Sequence, residues 1–185
     1  MKVTLLGDSI RQIGYGTRVP ALLGDAFEVW QPAENCRFAQ YTLRGMWDWA
    51  GGMAGSDIVH WNNGLWDVCD IFGDGYFTPK DIYVDTMVRT AKILLSRHKK
   101  VIFATTTPVT DENPYNKNAD IIAFNEAVVP RLAELGVIIN DLHATVYADI
   151  DDYIRKDDNI HLTDAGIEIC AAQVAEAIRA AAREI

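Results

Sequence analysis

Three short stretches of this chain carry residue types that together can perform acyl transfer. Ser9 stands in Gly7-Asp8-Ser9-Ile10-Arg11, directly after the apolar run Val3 to Leu6. A serine there places its hydroxyl at the carboxyl end of a strand, and its N–H, close to a helix start, can face a developing oxyanion. Asp and Ser are also good helix caps, and taken alone Ser9 reads as one. The second stretch is Asp157-Asp158-Asn159-Ile160-His161-Leu162-Thr163. An Asp three residues before a His can accept the ring's Nδ1–H and leave Nε2 free to take a serine proton. The Thr163 or Asp164 that follows caps a final helix, which is compatible with that role. The third stretch is His60-Trp61-Asn62-Asn63-Gly64-Leu65-Trp66-Asp67. Paired asparagines are poor strand formers, their amides can donate to an oxyanion, and Asn-Gly is equally a turn.

The elements that must position these residues alternate strand and helix along the whole chain. Strands are predicted at Lys2–Leu6, Phe27–Trp30, Asp57–Trp61, Val101–Thr105 and Val137–Asn140. Helices are predicted at Arg18–Leu23, Leu43–Trp49, Pro79 to about His98, Ala119–Leu135 and from Thr163 or Asp164 to the C-terminus. Such alternation builds a parallel sheet covered on both faces, here an α/β, three-layer, flavodoxin-like fold with five strands. Ligands on such sheets collect beyond the carboxyl ends of the strands, where all three stretches fall. The Asp111–Asn118 loop reads as either a lid or an ordinary turn.

Composition narrows the function further. The chain has 185 residues, 49% hydrophobic and 23% charged, which suits a single globular domain over 1–185. Its net charge of −9, with no basic stripe, excludes a nucleic-acid partner and disfavours anionic lipid. No apolar run is long enough to span a bilayer, and the one before Gly7 is too short for a signal peptide, so the chain reads as cytoplasmic. Cys36, Cys69 and Cys170 form no disulfide framework and are expected to pack. His60, His98 and His143 form no metal-ligand spacing, and no phosphate-cradling glycine loop is present, so neither metal nor cofactor is expected. Nor is there a Gly-x-Ser-x-Gly elbow.

Gly7-Asp8-Ser9 after the first strand and Asp158-Asn159-Ile160-His161 before the last helix resemble the first and last blocks of the SGNH (GDSL-like) hydrolase superfamily. Block order and separation resemble it too, over essentially the whole chain. The resemblance implies a flavodoxin-like sheet and metal-free ester hydrolysis. It implies a Ser9, Asp158, His161 triad and an oxyanion hole made by the Ser9 N–H, a second-block N–H and a third-block Asn. Gly64-Leu65-Trp66-Asp67 departs from the usual Gly-x-Asn-Asp by placing Trp66 at the Asn position. A match to Asn-x-Gly-Leu-(His/Trp)-Asp makes Asn62 the donor, with Asn63 the alternative. Alternation along a strand lets only one of them serve. The second block, Glu34 to Ala39, has no glycine. Ala39 N–H is the expected donor there, with Gly45 as alternative.

Arg11, Tyr15, Asn63 and Trp66 are the candidates for substrate binding. Arg11 can hold an acidic substrate group or pair with Asp67. Trp61, Trp66 and Tyr76 can form an aromatic wall, although Trp61 suits the core better. The expected activity is that of a serine esterase working through an acyl-enzyme on a small-molecule or carbohydrate ester, with acetyl on a carbohydrate preferred. A lysophospholipase or thioesterase of the same family is the enzymatic alternative. A non-catalytic carbohydrate-binding or scaffold protein on this fold is the other.

Overall fold

Runs of β-branched and aromatic residues such as Ile58-Val59-His60-Trp61 are stable only when both faces of the strand are buried, and every residue of that strand is buried. The computed structural model describes all 185 residues. Its strands are β1 (Lys2–Leu6), β2 (Glu28–Trp30), β3 (Ile58–Asn62), β4 (Lys100–Ala104) and β5 (Ile138–Asn140), all parallel, in the order β2-β1-β3-β4-β5. The chain leaves β1 toward β2 and returns to β3 on β1's other side, so the order reverses between β1 and β3. A crevice opens at such a switch point. The register sets Leu6 opposite Trp61 and so brings the segment after β1 beside the end of β3.

The helices are α1 (Val19–Leu23), α2 (Ala39–Asp48), α3 (Ala50–Met53), α4 (Leu65–Val68), α5 (Lys80–Leu95), α6 (Asn118–Glu134), α7 (Leu142–Tyr147), α8 (Ile150–Tyr153) and α9 (Asp164–Ala182). Helices α2, α5 and α6 pack side by side on one face, and α9 packs with α1, α7 and α8 on the other. One continuous core joins the layers, with Leu5, Trp61, Phe103, Phe124 and Val174 fully buried. No helix is long and apolar enough to cross a membrane. The three cysteines are free and buried, and burial pushes the Cys36 thiol up to about 11 and that of Cys170 to about 12.

Two departures from the expected elements bear on the site. Helix α2 begins at Ala39, four residues before the predicted Leu43, because its first N–H finds an acceptor outside the local sequence. The Asp67 carboxylate accepts from Ala39 N at 3.1 and 3.0 Å and caps the helix from across the sheet edge. After Ser9 the chain forms a π-helix (Ile10–Gly14) and then a 3₁₀ turn (Tyr15–Thr17), elements that no apolar period announces.

Candidate active site

Ser9 lies in the first turn after β1, where Asp8 caps the chain through Oδ1 to Ile10 N at 2.9 Å. Gly7 is obligatory there: a Cβ would lie 2.0 Å from the Asn62 side-chain oxygen. Ser9 Oγ lies 2.8 Å from His161 Nε2, and His161 Nδ1 lies 2.9 Å from Asp158 Oδ2. The carboxylate faces Nδ1, so that nitrogen carries the proton and Nε2 accepts from the serine hydroxyl. Burial opposes the charge on Asp158, but the N–H groups of His161 and Ile160, with the His161 ring, outweigh it and hold the carboxyl below its ordinary range. Ionised, Asp158 can steady an imidazolium.

The loop that carries Asp158 and His161 is fastened at several points. Arg155 N donates to His161 O at 2.8 Å, and Ile154 and Leu162 form an antiparallel bridge. Asn159 takes the left-handed conformation (φ 63°), which Asn tolerates better than most residues. Its side chain accepts from Thr110 Oγ1 at 2.8 Å, and its carbonyl accepts from Thr110 N and Asn113 Nδ2. Sequence reasoning passes over Asn159, although Asp-Asn is a recognisable turn pair. Asn113 Oδ1 accepts from Tyr115 N and Asn116 N, which makes the Asp111–Asn118 segment a hydrogen-bonded turn braced against Asn159.

The structure separates the two asparagines. Asn63 is fully buried, with its amide donating to Arg37 O and its oxygen accepting from Trp61 Nε1, so it lines no pocket. Asn62 retains slight exposure. Its oxygen accepts from Tyr15 O–H at 2.7 Å, which fixes the amide so that Nδ2 donates to Asp8 Oδ1 at 2.8 Å and leaves its second hydrogen uncommitted. Asp8 is wholly buried, and burial raises its pKa against the opposing Asn62 and Ile10 hydrogen bonds.

Burial corrects two of the expected contacts, and a committed hydrogen bond corrects a third. Tyr15 is fully buried and holds Asn62 through its hydroxyl instead of lining a pocket. Arg11 is buried too. Its guanidinium donates to the carbonyls of Gly7, Pro32 and Glu34, tying the second block to the end of β1, and it neither pairs with Asp67 nor reaches a cleft. The Ala39 N–H is committed to Asp67 and cannot serve an oxyanion, while Gly45 sits inside α2 against the Trp49 ring. Between Cys36 and Ala39, only Phe38 has an N–H with no acceptor in the chain. It follows Arg37, whose φ of 50° makes the left-handed bend expected of a glycine. Trp66 is exposed on α4, and Trp61 is in the core.

A cleft of about 420 Å³ opens beside Ser9 and His161, floored by Ile10, Ile13, Leu162 and Ile167 and edged by Arg155 and Asp164. A larger groove of about 530 Å³ between α2 and α5 reaches neither Ser9 nor His161. No three His, Cys, Asp or Glu side chains are grouped to hold a metal ion.

Burial pushes Asp67 from its ordinary 3.8 up to about 7, against hydrogen bonds from Thr78 and Ala39. The folded chain therefore keeps this proton to a higher pH than the unfolded chain does. Stability is expected to decline as pH rises from about 4 to about 7, by a few kcal/mol at most from this group, and then to level off. Urea unfolding across that range should show the decline, and Asp67→Asn, which can still accept from Ala39 N, should flatten it. An undiminished decline in the variant would assign the effect elsewhere.

The five-stranded parallel sheet with helices on both faces has the flavodoxin-like fold of the SGNH hydrolases. No protein-family model matches the chain, and no curated protein matches it in sequence. Solved structures match over nearly its whole length. An acetyl xylan esterase, AlAXEase, superposes with a TM-score of 0.82 at 21% identity, covering 96% of this chain and all of that one. Axe2, an acetylxylan esterase from Geobacillus stearothermophilus, gives 0.76 at 18% identity, with 95% and 92% covered. A member of the lipolytic protein G-D-S-L family from Veillonella parvula DSM 2008 gives 0.77 at 16%, with 95% and 97% covered.

Proposed function

We propose that this protein is a serine ester hydrolase that removes small acyl groups, acetyl above all, from a carbohydrate. The observation that carries the reading is the unbroken hydrogen-bonded line from Ser9 Oγ through His161 to Asp158 at 2.8 and 2.9 Å. In this mechanism His161 Nε2 takes the Ser9 proton as Oγ attacks the ester carbonyl, and Asp158 stabilises the imidazolium. The oxyanion is received by the Ser9 N–H, the free hydrogen of Asn62 Nδ2 and the Phe38 N–H. His161 then protonates the leaving alcohol, and water reverses the sequence to free the acid.

Removing one oxyanion donor costs ~10²–10³ in kcat, and Asn62→Ala is expected to fall in that range. A kcat equal to wild type, measured on p-nitrophenyl acetate, would remove Asn62 from the hole.

The carbohydrate part of the reading draws on the exposed aromatic Trp66 and on the likeness in fold to acetyl xylan esterases. The apolar floor of the cleft favours a second reading, in which longer acyl chains are taken as by a lysophospholipase or thioesterase. A fluorophosphonate probe followed by peptide mapping tests the nucleophile: the adduct is expected on Ser9, and labelling elsewhere or nowhere overturns the proposal. A nitrophenyl ester series from acetate to laurate separates the two readings, since rising activity with chain length excludes deacetylation as the main task.

A further inference from the structure

After α4 the chain does something unusual for an acidic protein: eight consecutive residues, Asp70 to Phe77, are all exposed, and four of them are large and apolar. Phe72 is 77% exposed, Ile71 44%, Phe77 41% and Tyr76 38%. Trp66 (40%) precedes this segment, and Tyr115 (53%) comes beside it from the turn after β4. An apolar patch of this kind on a globular surface marks a contact with something else.

The segments that carry the patch are tied to one another and to the loop of Asp158 and His161. Asp70 N donates to Tyr115 O at 2.9 Å, Phe77 N to Cys69 O at 2.8 Å and Asn116 Nδ2 to Leu65 O at 2.9 Å, so the two loops are stitched together. The Phe77 ring packs 5.2 Å from that of Phe38, at the second block. On the other side the same turn is held by Asn113 to Asn159, between Asp158 and His161. The exposed rings thus stand on two tied segments that follow β3 and β4 at the carboxyl edge of the sheet, and together they make a ledge there.

The chemistry of the ledge selects its occupant. Its rings stand out into solvent, Phe72 by 77%, and so do not wrap around an acyl chain. Its carboxylates, Asp70, Asp74, Asp111 and Glu112, take part in no ion pair and repel polyanions and anionic lipid. Flat rings beside free carboxylates suit a neutral molecule with apolar C–H faces and hydroxyl donors. We infer that the ledge formed by Trp66, Phe72 and Tyr115 binds the neutral oligosaccharide chain whose acyl group is presented to Ser9. This rests on the ester-hydrolase reading for the acyl group.

Binding and cleavage can be measured separately. Calorimetry with unmodified xylo-, manno- and cello-oligosaccharides on the wild-type protein tests the ledge without any ester. At least one series is expected to bind, more tightly as the chain lengthens from two to six sugars. Two stacked rings lost together should weaken that binding about tenfold in Phe72→Ser/Tyr115→Ser. With acetylated forms of the same sugar, the loss is expected in KM and not in kcat. No binding by any series, or equal binding by the variant, overturns the inference even where Ser9-dependent hydrolysis is present. So does adhesion to neutral phosphatidylcholine vesicles that the variant loses. Ledge-dependent sugar binding without Ser9 labelling would overturn the hydrolase reading and leave the ledge standing as a sugar site.

Discussion

Ser9→Ala is expected to lower kcat on p-nitrophenyl acetate by about 10⁶, the scale at which a triad serine acts. The variant keeps the fold. The Ser9 hydroxyl bonds only to His161, and a single exchanged hydrogen bond at a part-buried site is worth about 1 kcal/mol. Gly7, Asp8 and the π-helix that follows rest on backbone contacts and on the Asp8 carboxylate, which the substitution leaves in place. A small residual rate is expected as well, because the oxyanion donors and His161 survive and still exceed water by about 10³–10⁴. The result that would sink the assignment is a variant within about tenfold of wild type with an unchanged melting curve, since no triad nucleophile is so dispensable.

Asp158→Asn is expected to lower kcat by about 10⁴ with little change in stability. Oδ1 of residue 158 accepts from the N–H groups of Ile160 and His161, and an asparagine oxygen can take over both bonds. The other carboxylate oxygen faces His161 Nδ1. An amide NH₂ in its place donates to Nδ1, so the ring must carry its proton on Nε2 and meet Ser9 with a donor where the reaction needs an acceptor. Thermal melts and kcat measured together separate this from loop damage. A lower melting point with proportionate loss of rate would point to disorder of the loop, and full activity would show that the ring needs no partner to orient it.

These results would establish a reaction whose main parts are legible in the amino-acid sequence. The alternation of strands and helices is written in apolar period, and the five expected strands overlap the five observed ones, with ends that differ by about one residue. The juxtaposition of Ser9, Asp158 and His161 is legible because it depends on local position: a turn after a strand for one, a three-residue spacing for the others. Trp66 is legible as an exposed ring because it lies just past the strand, on a short helix.

What the one-dimensional pattern does not decide is the partners of buried polar groups. Arg11 and Tyr15 look like pocket residues in sequence, since charged and phenolic side chains are usually at the surface. They are enclosed because three carbonyls and one amide oxygen, all but that of Gly7 from distant segments of the chain, satisfy them there. Ala39 looks free to donate because its acceptor, Asp67, is 28 residues away and meets it only when α4 and α2 come together. The second-block bend is hidden for a different reason. Arg37 adopts the left-handed conformation without being glycine, and only the surrounding fold can make that conformation the preferred one. The sequence by itself determined the elements and the residues with the right chemistry. The tertiary structure decided which donors remained uncommitted, because a hydrogen bond made inside the protein is one that cannot be offered to a substrate.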